Sequence, residues 1–365
     1  MSLPEFQHQD RALGLLERAL SADRLPHAYI FHGPDGVGKE TCATWLAGVL
    51  LCHQTSVSRD ANDRPVHRAC GRCNDCQTVR AGTHPDLHVV HPKLIKYHED
   101  AKVRRRKGID LGVDVVRQFV INQVGHKPVQ GRAKVFIIRQ ADRITPQAQN
   151  ALLKTLEEPP ATTFIILLVS SLDRLLATTH SRCQLIPFGV LPVEFITAEL
   201  TRLMPDLDAD RAELVARLTE GSLGVALQYA QDGLADYSRR MCDTLSEIST
   251  KAVADVVEGW QQDAKALGAK FRQRDPDITE TEAERRGLKT LLSLAALWYR
   301  DVLHGHYGPS ASPAPLVPRS GRSVSAGQAV AAIQHLADSQ SHIDANVNLK
   351  LCLDNTVIRL AKLAG

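Results

Sequence analysis

The sequence predicts an α/β P-loop domain with a parallel sheet and an inserted cysteine module, followed by a small helical domain and an all-α C-terminal domain. Three observations predict it. Gly33-Pro34-Asp35-Gly36-Val37-Gly38-Lys39 is a glycine loop set between an apolar run at 28–31 and the helically spaced Cys42, Trp45, Leu46, Val49 and Leu50. Short apolar runs then alternate with helical patterns as far as residue 188, the mark of strands covered by helices on both faces. From Leu191 the strand signals stop and only helical spacing remains.

Residues 1–25 read as an amphipathic helix carrying Ala12, Leu15, Leu16, Ala19 and Leu20 on one face. A polar, cysteine-bearing insertion follows the loop helix at about 51–81, and 86–90 reads as a buried strand. Residues 92–108 are polar and end in Lys102, Arg104, Arg105, Arg106 and Lys107. A helix is expected over 113–123, with Val116, Phe119, Val120 and Gln123 on one face, and a central strand over 135–138. Thr145 is suited to cap a helix whose first position is Pro146 and which Pro159-Pro160 stops. Strands are expected at 164–169 and 185–188. Residues 192–232 read as two or three short helices broken at Pro205 and at Gly221-Ser222. Beyond about 235, Leu288, Leu291, Leu292, Ala295 and Trp298 make one helical face, and Leu349, Leu353, Val357 and Leu360 another. The polar stretches 273–280 and 305–326 are expected to be loops.

The glycine loop is shaped for phosphate. Glycines let backbone N–H groups face an anion, the helix start adds positive potential, and Lys39 can reach terminal phosphates. The loop is poorly equipped for the metal. The position after Lys39 should carry a hydroxyl for Mg²⁺, yet Glu40 stands there, and Thr41 is displaced by about 100° around the helix. The second half of such a site is an acidic end on the strand that neighbours the loop strand. After 135–138 the chain instead has Arg139 at the metal-ligand place and Gln140 at the base place, and Asp142 is expected to cap or pair structurally. With three necessary groups missing, the chain is expected not to hydrolyse ATP. Gly33, Gly36, Gly38, Lys39 and Thr41 are the candidate nucleotide contacts; weak binding and a loop kept for its shape both remain open.

Cys52, Cys70, Cys73 and Cys76 fall within 25 residues. Cysteines three apart converge on one tetrahedral ion, and four thiolates close a structural zinc site. An iron–sulfur cluster also takes four cysteines, but the further cysteine and proline that usually follow such a run are missing. His53 and His67 are rival fourth ligands. Cys42, Cys183, Cys242 and Cys352 are scattered and expected to pack, and His84, His88, His91 and His98 are read as surface or strand residues.

A length of 365 residues implies two or three domains, and a net charge of +3 gives no global field for nucleic acid. The first residues carry no basic-then-apolar pattern and the longest apolar run is too short to span a bilayer. A cytoplasmic protein without membrane contact is expected, its eight cysteines being thiols or metal ligands rather than disulfides.

Asn150-Ala151-Leu152-Leu153-Lys154-Thr155-Leu156-Glu157-Glu158-Pro159-Pro160, with Ser181-Arg182-Cys183 beyond it, resembles the bacterial clamp-loader branch of the AAA+ ATPases. The likeness takes in 25–33, the cysteine module with Ala81-Gly82-Thr83-His84-Pro85-Asp86, Leu111-Gly112-Val113-Asp114 and Leu175-Leu176-Ala177-Thr178. It is strong over about 1–190, moderate to 232 and architectural beyond. The resemblance implies an AAA+-like domain over 1–188, a lid over 189–234 and a collar over 235–365 that holds a five-subunit ring. Motor subunits of this branch keep the Mg²⁺ hydroxyl and the acidic strand end, so the chain looks like the non-hydrolysing stator. Gly224 stands where the lid usually carries a sensor arginine. Arg182 is then implied as a finger acting in trans on a neighbour's ATP. The implied partners are motor subunits (gamma/tau) and a delta subunit, with the sliding clamp and primer–template DNA met through the complex. Two other readings compete: an autonomous P-loop ATPase, which needs the missing acid pair, and a zinc-dependent nucleic-acid-binding protein using the cysteine module and the basic run 102–107.

Overall fold

The computed structural model describes residues 7–22, 24–59, 65–106, 108, 110–160, 162–307, 324–345 and 347–364. They divide into two compact units, 1–192 with 222–224, and 193–221 with 225–365.

The first unit is built on a five-stranded parallel sheet of β1 (Ala28–His32), β4 (Leu87–Val90), β5 (Lys134–Ile138), β6 (Thr163–Val169) and β7 (Gln184–Pro187), in the order β4-β5-β6-β1-β7; β2 (Ser56–Arg59) and β3 (Pro65–Arg68) form a separate antiparallel hairpin. Alternate side chains of each central strand enter opposite faces. Tyr29, Phe31, Val135, Ile137, Ile166 and Leu168 join the helices Asp10–Ser21 and Lys39–Leu51 on one side. Ile30, Phe136, Ile138, Ile165 and Leu167 meet Val115, Val116, Val120, Leu152 and Leu156 on the other. Both faces are therefore covered, which is why these strands read as unbroken apolar runs.

One expectation fails here. The strand bearing Arg139 does not neighbour the loop strand, because β6 lies between β5 and β1. β6 is the longest and most apolar strand, buried along its whole length, and the sheet centre is where such a segment gains most from burial.

Thr145 caps the helix Pro146–Glu157 by accepting from the Ala148 N–H. The helix expected over 113–123 runs from Val113–Val116 through a π-helical turn at Arg117–Ile121 to Asn122–Val124. The first helix is shorter than its pattern, Asp10–Ser21, and residues 1–6 lie outside the described chain.

The second unit is helical. Val193–Leu203, Ala209–Leu218, Leu234–Ser246, Val253–Arg274, Glu280–Tyr307, Ala326–Asp344 and Leu349–Ala364 surround a core that includes Trp260, Leu267, Leu291, Trp298, Leu336, Leu353 and Leu360. Val253–Arg274 and Glu280–Tyr307 pack so closely that a Cβ on Gly287 would stand 2.2 Å from the Ala264 carbonyl oxygen. The expected loop at 273–280 is narrower, since Gln273 and Arg274 still carry helix and Glu280 resumes it. Most of 305–326 lies outside the described residues. No described helix is long and apolar enough to cross a membrane.

Candidate functional site

Gly33, Gly36 and Gly38 all take positive φ, 146°, 73° and 101°, so the loop after β1 has the backbone that its glycines allow. Its lysine is turned inward. Lys39 Nζ donates to the carbonyl oxygens of Gly33 at 2.5 Å and Pro34 at 2.7 Å, with Asp35 Oδ1 at 3.5 Å. Burial holds its ammonium below the usual lysine range, opposed by Asp35. Residues 222–224, which belong to this unit, close over the loop: Ser222 Oγ donates to the Asp35 carbonyl at 2.6 Å and the Gly224 N–H to the Gly36 carbonyl at 2.9 Å. A Cβ at Gly224 would lie 2.8 Å from Gly36 Cα, so glycine at 224 is what permits this approach. Thr41 is exposed on the helix.

The two residues that spoil the metal position meet. Arg139 Nη2 pairs with Glu40 Oε1, from the end of β5 across to the first turn of Lys39–Leu51. A guanidinium and a carboxylate thus face each other where a hydroxyl and an acid would share Mg²⁺. Asp142 accepts from Ser170 Oγ at 2.9 Å, a structural bond.

The four cysteines converge, with all four sulfurs within 4.8 Å of one another. Cys52 follows the end of Lys39–Leu51, Cys70 follows β3, Cys73 caps the helix Asn74–Ala81 and Cys76 sits in its first turn. Sγ–Sγ separations of 3.9 Å for Cys52–Cys73 and Cys70–Cys76 match the edge of about 3.8 Å that a tetrahedron with 2.3 Å bonds requires. Backbone N–H groups of Gln54, Cys70, Cys73 and Cys76 donate to the sulfurs, which suits thiolates. N–H groups of Arg72 and Cys73 draw the Cys70 thiol down to about 6. The donor set fits a metal ion. Neither rival histidine joins it: His67 Nδ1 lies 2.6 Å from Glu17 Oε2, and His53 is half exposed beside Asp75.

His84 was expected on the surface or in a strand. It is buried, and the reason is a polar chain running from the cysteines into the sheet. Asp75 Oδ2 lies 3.8 Å from Cys73 Sγ, and Asp75 Oδ1 lies 3.4 Å from His84 Nε2. His84 Nδ1 accepts the Asp86 N–H at 3.0 Å, so its proton sits on Nε2, facing Asp75. Asp86 accepts from the N–H groups of Val129, Gln130 and Gly131 at 2.7, 2.9 and 2.8 Å. Burial pushes its carboxyl up, but these three donors outweigh that and hold it below the usual range. Asp86→Asn should therefore destabilise the chain at pH 7 by about 3 kcal/mol, because an amide turns two protons toward a nest of donors. A depressed carboxyl stabilises above its unfolded pKa and loses that contribution as pH falls through the folded value. The gap between wild type and variant in urea unfolding should accordingly close below about pH 4.

Arg182 follows the short helix Ala177–His180 and precedes β7. Its Nε donates to Glu157 Oε1 at 2.6 Å, Nη2 pairs with the same oxygen, and Nη1 donates to the Thr178 carbonyl at 2.9 Å and Ser181 Oγ at 3.1 Å. Gln184, two residues further on, pairs with Tyr29 in the parallel ladder, so β7 begins level with the second residue of β1. Of the basic run, Arg104 Nη1 is turned onto the carbonyls of His98 and Glu99, Arg106 pairs with Asp114, and Lys107 lies outside the described residues.

Residues 8–192 match the protein family described as "DNA polymerase III, delta subunit". DNA polymerase III subunit delta' of Escherichia coli is 34% identical over 231 residues, which is 63% of this chain and 62% of that protein. The chain belongs to the DNA polymerase III delta prime family. The Bacillus subtilis delta' subunit is 29% identical over 81% of this chain and 77% of its own length. The tau subunit of Escherichia coli is 32% identical over 71% of this chain and 36% of its own length. The match to the first of these delta' subunits thus spans about three fifths of that relative.

Four features of the site escaped the sequence reading: the Glu40–Arg139 pair, the Ser222 clasp, the Asp75–His84–Asp86 chain and Glu157 against Arg182. Only the second left a signal, the glycine at 224. The others join residues with no shared spacing.

Proposed function

We propose that this delta prime family member is the non-hydrolysing stator of a replicative clamp loader within DNA polymerase III. In this reading it assembles with gamma/tau motor subunits and a delta subunit, and helps load the sliding clamp on primed DNA. Residues 189–234 serve as a lid and 235–365 as the collar. The observation that carries it is the Glu40–Arg139 ion pair. A divalent ion bridging the phosphates needs ligands that lend negative charge; here the strand-end residue is a cation, paired with the carboxylate of Glu40. Lys39, occupied by loop carbonyls, adds to the case against turnover.

The placement of Arg182 supports the second half of the proposal. Its guanidinium is held by Glu157, Thr178 and Ser181 rather than by a residue of its own loop, while a planar guanidinium suits a phosphoryl group presented by another subunit. Cys52, Cys70, Cys73 and Cys76 would hold a zinc ion whose role is structural, since four thiolates leave no open position.

Purified chain mixed with MgATP should show no hydrolysis above background, and should stimulate turnover when added to the motor subunits. Hydrolysis by the chain alone that Lys39→Ala abolishes would return the autonomous ATPase.

A further inference from the structure

Arg182 does not stand open in the free chain. Of its five N–H groups, four are spent: Nε and one on Nη2 go to Glu157 Oε1, and both on Nη1 go to the Thr178 carbonyl and Ser181 Oγ. The phosphate-gripping edge of a guanidinium is the pair Nε and Nη2, and that is the edge that Glu157 covers. Glu157 is also the last residue of the twelve-residue helix Pro146–Glu157, whose carbonyl end adds partial negative charge beside the cation.

We propose that Glu157 is the resting counter-ion of the finger: it holds the Arg182 guanidinium back until a neighbour's triphosphate displaces its carboxylate. Glu157 is a positioning residue, since it acts through Arg182. The inference rests on the trans-finger reading above. Its strength suits the task. The arginine side chain is 31% exposed and the glutamate 45%, and ion pairs at that exposure shift an equilibrium by roughly two- to five-fold. Such a hold is enough to suppress futile engagement in a loosely assembled ring. It is too weak to resist a triphosphate carrying several charges once the subunits close.

The test uses the reconstituted loader with wild-type chain, Glu157→Gln, Arg182→Ala and the double variant, with and without clamp and primed DNA. Glutamine keeps the shape and removes the charge, at an exposed site where folding is not threatened. Glu157→Gln should raise unstimulated kcat by about two- to five-fold, leave DNA-stimulated kcat unchanged, and have no effect in the Arg182→Ala background. That last comparison separates a hold on the finger from a general loosening, which would act whatever residue stands at 182. An unchanged unstimulated rate, or an increase that survives in the double variant, overturns the proposal while a crippled Arg182→Ala complex leaves the finger itself standing. Normal turnover with Arg182→Ala removes the finger and the counter-ion together.

Discussion

Arg182→Ala should leave the loader assembled and strip most of the ATP turnover from the neighbouring site at which we propose that Arg182 acts. Arginine fingers are worth on the order of 10³ to 10⁵ in rate, because a fixed cation meets charge as it develops on the transferred phosphoryl group. Folding should survive the change. The side chain is part-exposed, its partners are a surface carboxylate, a surface hydroxyl and one carbonyl, and each of those can turn to water. Whole-complex rates should fall by less than the site does, since the proposal places Arg182 at one ATP site of the complex. The decisive measurement is therefore single-turnover hydrolysis with limiting ATP, beside size-exclusion chromatography to show assembly. Arg182→Lys should recover only part of the loss, because an ammonium restores charge without the planar fork. A full-rate Arg182→Ala complex would make the residue structural and leave the stator role resting on assembly.

The part of this site that was legible in the sequence is local. Gly33, Gly36, Gly38 and Lys39 lie in one short loop, and their spacing alone implies a turn with positive φ and a lysine at a helix start. The cysteines are legible for the same reason: 70, 73 and 76 ride one turn and one helix start, and Cys52 is returned to them by a hairpin. What was hidden depends on which strand lies beside which. Glu40 and Arg139 each read as an isolated defect, and nothing in a string of residues says that two defects 99 positions apart touch. The place of β5 was misjudged because adjacency in function, loop strand and acid strand, was taken for adjacency in the sheet. His84 was misjudged because a lone polar residue before a strand is mostly solvated. Its burial follows from Asp86, which needs three backbone donors and draws the preceding turn inward to reach them.

Removing one of the four proposed zinc ligands should have the largest effect on stability, and the structure says how far it should spread. Structural zinc contributes an apparent 10–16 kcal/mol in small modules at neutral pH, far more than the hairpin and short helix of this insertion could supply by burial. Among their described residues, β2 is exposed throughout, β3 buries only Val66 and the helix Asn74–Ala81 adds Val79 to the core beside Lys39–Leu51, so the sulfur cluster joins Cys52 to that helix with little apolar packing to help it. Cys73→Ser should abolish one equivalent of bound zinc, measured by atomic emission on the purified chain. Amide exchange should quicken through residues 52–81. It should quicken next at 129–131, because Asp75, His84 and Asp86 link Cys73 to those three N–H groups without a break longer than 3.8 Å. Exchange in β1 and β6 should hold, since their partners are the sheet and its two covering layers. Chelation of the wild-type chain should reproduce the same order of loss. If purified chain carries no metal, or if Cys73→Ser binds it fully, the four sulfurs are ordinary thiols brought close by the fold. If protection falls at 52–81 and stays intact at 129–131, the cysteine module is a self-contained staple, and Asp86 secures its loop without help from the metal.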